Sequence, residues 1–203
     1  MKILCIGRNY AAHAKELKNE VPEAPVIFMK PESSILPPGH PFVYPEFSKD
    51  IHYECEIVLK ISRVGKYISE ENALSYIEGI GLGIDFTARD LQAQLKSKGL
   101  PWEISKGFNG SAVLSDFLPV SSFSDLQNLH FELKVNGEIR QKGHSADMLF
   151  SIPQMIAYTS QFFTLKTGDY FFTGTPEGVG PIAIGDKLEG FLEGRPMFSI
   201  RIK

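Results

Sequence analysis

Alternation constrains this chain before anything else does. Residues 54–62 read as a strand, and successive strand side chains point to opposite faces. Cys55, Ile57, Leu59 and Ile61 share one face, and Glu54 and Glu56 project together from the other. Neighbouring carboxylates repel, and burying them is costly unless a cation lies between them. A second apolar segment, residues 79–86, carries Asp85 near its end and brings a third oxygen ligand into reach. Three carboxylates without a Cys/His cluster suit a hard cation, Mg²⁺ or Mn²⁺. The same spacing also fits a solvent-facing strand edge, because most glutamates are exposed.

The 203 residues suffice for one domain with a sizeable core. A net charge of −3 with no basic block argues against nucleic acid as a partner. No apolar run reaches transmembrane length, and the N-terminal stretch lacks the basic and apolar regions of a secretory leader. Cys5 and Cys55 both lie in apolar contexts, which points to two buried thiols in a reducing cytoplasm and not to a disulfide framework.

Along the chain, residues 2–6 and 26–30 read as short strands, with a helix over 10–18 that Asn9 would cap. Residues 31–45 are rich in Pro and Gly and predict an extended loop. Ser69 before Glu70 and Glu71 predicts an acidic helix start. Gly79, Gly81 and Gly83 line one strand face, which must approach another backbone or a ligand closely. They are no dinucleotide fingerprint, because the last glycine position falls on Ile84 and no helix opens there. Thr87 with Asp90 reads as a capping box for a helix to residue 98, with Arg89, Gln92 and Lys96 on one face. Asn136-Gly137 predicts a type I′ hairpin between strands 131–135 and 138–141. Ser151 with Pro153 opens a helix to residue 163. Residues 170–173 form a strand, and 187–191 with 197–202 a terminal hairpin turning at Glu193-Gly194.

Four groups of residues bear on chemistry. His13 and Glu16, three apart on a helix, can pair, which orients the imidazole and makes it a better general base. A surface pair of no consequence fits the same spacing. Lys106, in an apolar loop after Trp102, can neutralise a substrate anion or an enolate, or simply snorkel to solvent. The glycines of residues 174–180 can present backbone N–H groups to an anion, although no P-loop sequence is present. His144, Ser145 and Asp147 are too close in sequence for a triad, and no nucleophile elbow surrounds any serine.

These stretches together resemble the fumarylacetoacetate hydrolase family, in its short single-domain branch of acylpyruvate hydrolases and oxaloacetate decarboxylases. The likeness rests on Gly7-Arg8-Asn9-Tyr10 with His13 and Glu16, and on His52-Tyr53-Glu54-Cys55-Glu56. It continues through Asp85-Phe86-Thr87-Ala88-Arg89-Asp90-Leu91-Gln92, Gly99-Leu100-Pro101-Trp102 with Lys106, and Val135-Asn136-Gly137-Glu138. Ser151-Ile152-Pro153, Thr173-Gly174-Thr175-Pro176 and Gly178-Val179-Gly180-Pro181 complete it.

The resemblance implies an α+β, mostly β fold: a mixed β-roll or sandwich with peripheral helices, one catalytic domain over 1–203, usually paired as a homodimer. It implies Mg²⁺ or Mn²⁺ held by Glu54, Glu56 and Asp85, with His13, Glu16 and Lys106 as catalytic residues. Arg8, Arg89, Gln92 and Thr175 would meet the substrate, a small 2-oxo acid. Residues 9–25 would act as a mobile lid. Larger relatives carry a fourth acidic ligand upstream of the histidine, and Cys5-Ile6-Gly7-Arg8 offers none. Asn109 and the stretch Gly143-His144-Ser145-Ala146-Asp147 also depart from the family pattern and bear on substrate preference. The implied activity is metal-dependent C–C hydrolysis of 3-acylpyruvates to pyruvate and a carboxylate, with oxaloacetate decarboxylation beside it. Isomerisation of 2-hydroxy-dienedioates, oxaloacetate tautomerisation and non-catalytic dicarboxylate binding are the alternatives.

Overall fold

The computed structural model of the chain describes residues 1–16 and 20–203. Its first part holds β1 (Ile3–Gly7), α1 (Ala11–Glu16), β2 (Val26–Lys30), β3 (Ile51–Tyr53), β4 (Cys55–Ile61) and α2 (Glu70–Ala73). Next come β5 (Ile77–Asp85), β6 (Thr87–Ala88), α3 (Arg89–Ser97), α4 (Glu103–Lys106), β7 (Ala112–Leu114) and β8 (Leu118–Pro119). The last part holds β9 (His130–Val135), β10 (Glu138–His144), α5 (Ile152–Phe162), β11 (Tyr170–Phe172), β12 (Gly180–Pro181), β13 (Lys187–Leu192) and β14 (Arg195–Arg201). The fold is mostly β, in several sheets with few helices, as the family resemblance implies.

A seven-stranded sheet runs β2-β1-β11-β4-β5-β7, with β8 also on β5. All its pairs are antiparallel except β1 with β11, which run parallel with Ile3 opposite Tyr170. A four-stranded antiparallel sheet, β10-β9-β13-β14, packs against β4 and β5. Leu82 and Ile84 of β5 meet Leu133 and Leu188 in the fully buried core between them. Each such side chain contributes about 1.5–3 kcal/mol by leaving water. A third, small sheet pairs β12, β3 and β6.

The expected strand over 54–62 forms as β4, with Glu54 just before it, where β3, paired with β6 and β12, gives way to β4, paired with β5 and β11. Glu54 sits at the crossing between two sheets. β4 is central, buried on both faces, so the solvent-edge reading of Glu54 and Glu56 does not hold. The glycine face of β5 meets backbone. A Cβ on Gly83 would stand 2.5 Å from the Val113 carbonyl oxygen, and one on Gly79 would stand 3.0 Å from that of Leu118.

Both expected hairpins form, with positive φ at both central residues of each turn. Asn136 and Gly137 have φ of 53° and 84°, and Glu193 and Gly194 have 50° and 72°. Ser151 closes a reciprocal capping box with Gln154 at the start of α5, a device worth about 1 kcal/mol.

Three expected caps do not form. Thr87 continues into β6, opposite His52, and its hydroxyl donates to the Asp85 carbonyl. Asp90 accepts instead from Ser48 Oγ and the Lys49 N–H, and α3 opens at Arg89. Asn9 caps nothing. Its amide crosses to the Thr173 carbonyl at 2.8 Å and accepts from the Phe150 N–H at 2.8 Å, so a long-range tie displaces the local one. α1 therefore starts at Ala11; the end expected at residue 18 lies outside the described residues. Ser69 precedes α2 without a side-chain cap, and that helix tightens into a 3₁₀ turn after Ala73.

Candidate functional site

Strand pairing builds the floor of the site. β4 against β5 sets Glu56 opposite Gly83, and the Glu54 carbonyl accepts from the Asp85 N–H at 2.8 Å. Carboxylate oxygens of Glu54, Glu56 and Asp85 thus come within 4.8 Å of one another, all buried. Glu56 also accepts from the Gly174 N–H at 2.6 Å, which ties the loop after β11 to the cluster.

Three cations answer these carboxylates. Lys106 ends α4, not an open loop, and its ammonium lies 2.7 Å from Glu54 and 2.8 Å from Asp85. Arg89 reaches Glu54 at 2.5 Å and donates to Gln92 at 2.7 Å. Lys30, fully buried, stands 2.7 Å from Asp85 Oδ1 and donates to the carbonyls of Lys106 and Ser111.

Burial alone would raise the Glu54 carboxyl, yet Lys106 and Arg89 hold it well below the usual range. Glu56 goes the other way: burial, then Asp85 and Glu54, push it well above that range. Burial works against the Lys106 ammonium, but Asp85 and Glu54 raise it.

The donor set suits a divalent ion. Glu56 has carboxylates beside it and no ion pair of its own among the described residues. Asp85 Oδ1 faces Lys30 without a hydrogen bond and has no other such partner among them. A hard cation with oxygen preference satisfies both, as Mg²⁺ or Mn²⁺ would.

The roof is α1. His13 is buried, and its Nδ1 lies 3.2 Å from Glu16 Oε2. The other Glu16 oxygen accepts from the Gly178 N–H at 3.0 Å, so the glycine loop holds a protein carboxylate. Arg8, His13, Glu54, Glu56, Arg89, Gln92, Lys106 and Thr175 line one pocket. Asp85 lies behind it, and Glu16 supports His13 from outside. The Thr175 hydroxyl is already engaged, donating to the Cys55 carbonyl and accepting from Gln141, both at 2.8 Å. His144 bonds Asn128 and stacks on His130, while Ser145 serves the Leu129 backbone, so no triad assembles there.

The sequence gives no sign that Lys30, Gln141 and Phe28 belong to the site; it sets Lys96 on the face of Arg89 and Gln92 and Trp102 beside Lys106 without a role, and both line the pocket. Lys30 shows in it only as a lysine closing an apolar strand before Pro31.

Fold and site together define an enzyme of the acidic metal-centre type, with buried carboxylates, a lysine among them and a histidine–carboxylate pair above. Residues 2–202 match the fumarylacetoacetate (FAA) hydrolase C-terminal family, and the chain belongs to that family. It is 47% identical over 193 residues to the mitochondrial oxaloacetate tautomerase FAHD1 of Arabidopsis thaliana, covering 95% of this chain and 86% of the relative. It is 43% identical over 197 residues to oxaloacetate tautomerase YcgM of Escherichia coli K12, covering 97% and 90%. Its fold matches a fumarylpyruvate hydrolase of Pseudomonas aeruginosa solved with Mn²⁺ and pyruvate: TM-score 0.94, 36% identity, 100% and 89% coverage. No helix among the described residues is long and apolar enough to cross a membrane.

Proposed function

We propose that this chain is a divalent-metal-dependent enzyme that interconverts the keto and enol forms of a small 2-oxo acid, oxaloacetate first among them. The observation that carries the reading is the buried His13 ring, steered by Glu16 and closed over the carboxylate–lysine cluster. Keto–enol exchange needs one base beside an acidic C–H and one positive group beside the oxygen that gains charge. His13 takes and returns the proton at the carbon next to the keto group. Lys106 holds positive charge at the enolate oxygen. Glu54, Glu56 and Asp85 would hold Mg²⁺ or Mn²⁺, which when bound supplies Lewis-acid polarisation of the 2-oxo acid. The relatives named oxaloacetate tautomerase, at 42–47% identity in the Arabidopsis, mouse and Escherichia coli proteins, support this choice.

Hydrolysis of 3-acylpyruvates is the second reading, supported by the fumarylpyruvate hydrolase neighbour. There His13 with Glu16 would activate a water for attack on the distal carbonyl, releasing pyruvate and a carboxylate. Decarboxylation of oxaloacetate shares the same enolate and needs no water.

The lid expected over residues 9–25, of which 17–19 lie outside the described residues, is carried in this reading by α1. The pocket under α1 has a volume of about 40 Å³. At about 10–15 Å³ per water that holds a few waters, and movement of α1 would widen the way to Lys106 for a larger acid. Two copies of the chain pair as a homodimer, consistent with the apolar groove of Met29, Phe47, Ile104 and Phe108 beside α4. The free, buried Cys5 and Cys55 suit the cytoplasm or another reducing compartment.

The test follows the ultraviolet enol band of oxaloacetate and of acetylpyruvate with Mg²⁺, Mn²⁺ or EDTA, with pyruvate assayed in parallel. Metal-dependent enol decay of oxaloacetate without pyruvate release is the expected result. Pyruvate from acetylpyruvate would move the assignment to hydrolysis, and silence on both substrates would overturn the reading.

A further inference from the structure

One side chain of the four-stranded sheet reaches toward both halves of the site. Along β9, Phe131, Leu133 and Val135 are buried, and the residues between them are not. Strand β10 sets Glu138 opposite Val135 and Ile139 opposite Lys134, then slips, so that Arg140 is bulged and Gln141 falls opposite Leu133. A bulge re-aims the side chains beside it. Without the slip Gln141 would stand opposite Glu132, on the outer face. With it, a polar side chain enters the apolar layer and is 1% exposed.

The Gln141 amide is engaged at both ends. Oε1 accepts from the Cys55 N–H at 3.0 Å, and Nε2 donates to the Thr175 hydroxyl at 2.8 Å and the Pro176 carbonyl at 3.0 Å. The neighbours fix which end is which, because the Cys55 N–H can only donate and the Pro176 carbonyl can only accept. Thr175 gives its hydroxyl proton to the Cys55 carbonyl. Gln141 therefore ties the backbone between Glu54 and Glu56 to the loop after β11. That loop carries two further bonds, one on each side of the tie. The Gly174 N–H holds Glu56 at 2.6 Å, and the Gly178 N–H holds Glu16 at 3.0 Å. A Cβ on Gly178 would stand 2.2 Å from the Arg140 carbonyl oxygen, so the loop lies directly on the bulge.

We propose that Gln141 is a positioning residue that fixes loop 174–178, so that one end of the loop sets Glu56 in the floor and the other sets Glu16 behind His13 in the roof. The inference rests on the reading that Glu56 helps to hold a divalent ion and that His13 handles a proton. It adds that one side chain, bonded to neither, aligns both.

The test compares wild type with Gln141→Met, Gln141→Glu and a control, Leu188→Ala, a core residue of the same sheet whose side chain bonds none of these groups. Hydrogen exchange at the Gly174 and Gly178 amides, Mn²⁺ affinity by calorimetry, urea unfolding, and kcat and KM for enol decay of oxaloacetate are read in each. Methionine fills similar space without the three hydrogen bonds, so exchange should quicken at both amides together. Mn²⁺ affinity should fall about tenfold, the worth of one charge-assisted bond, and kcat about tenfold with less change in KM. Gln141→Glu keeps the acceptor for Cys55 but turns an oxygen on the Pro176 carbonyl, and should do at least as much damage. Leu188→Ala should lose stability with Mn²⁺ affinity, kcat and both amides unmoved. Loss of stability alone in Gln141→Met overturns the inference. So does release of only one of the two glycines, or the same pattern in Leu188→Ala. A wild type that binds no Mn²⁺ removes the metal reading; joint release of the two amides in Gln141→Met then upholds the tie, and separate release overturns it.

Discussion

The floor of the pocket and its roof are built on opposite terms. Glu56 and Asp85 hang from strands fixed by ladder bonds over a fully buried core, and Glu54 hangs from the joint between β3 and β4. Each carboxylate there is gripped by a buried cation or by a backbone N–H. His13 and Glu16 ride on six helical residues, tied down by Asn9, by the Tyr10–Met148 bridge and by one bond to the Gly178 N–H. The six residues described, Ala11–Glu16, would not hold a helix alone. The difference teaches where movement is allowed: charge is organised in the strand-bound part, and the group proposed to handle the proton sits on the element proposed to open.

The sharpest way to break this contrast is at Lys30. Removing one partner of a buried ion pair costs about 3–5 kcal/mol. Lys30→Met should therefore lower urea-unfolding stability by that order, because Asp85 loses its neighbour and two carbonyls lose a donor. An effect below about 1 kcal/mol would show that the floor is held by packing alone.

His13→Ala probes the roof, and the prediction inverts. Stability should change little, while kcat falls about 10²–10⁴-fold, the usual worth of a positioned base. If hydrolysis of acetylpyruvate is also present, it should suffer more than any decarboxylation of oxaloacetate, which needs no activated water. Equal loss of both would remove the water-activating role.

The smallest effect belongs to Asp90, outside both regions. Burial would raise its carboxyl, but hydrogen bonds from Ser48, Lys49 and Leu91 lower it. A folded value below the unfolded one of about 3.9 means stability present above that pH and lost as pH falls through the folded value. Asp90 is exposed, so screening limits Asp90→Asn to a few tenths of a kcal/mol. The difference from wild type should shrink as pH falls below about 3.9 and vanish once it has passed the folded value, in acid-unfolding curves.

Much of the floor was legible because it follows a strand period of two. Glu54 and Glu56 could be paired from spacing alone, and the Asn136-Gly137 turn and the Ser151 capping box carry their own local chemistry. Tertiary ties defeated the other local readings. Thr87 is a strand residue because β3 lies beside it, and Asn9 faces Thr173 and Phe150, more than a hundred residues away. Lys30 meets Asp85 across 55 positions, and no pattern around either residue reports it. The resemblance supplied what spacing could not: that Lys106 and His13 converge on one place.

The parallel pairing of β1 with β11 has a consequence in time. Cys5 lies opposite Phe172, and Gly174 then seals Glu56. A ribosome makes the first of these segments roughly 170 residues before the second, at about 5–20 residues per second. During those seconds β1 and β4 have no β11 between them, and their apolar edges are open to other nascent chains. The site can close only after nearly the whole polypeptide has emerged, so a chain truncated before Thr173 should be a client for chaperones and never a partial enzyme.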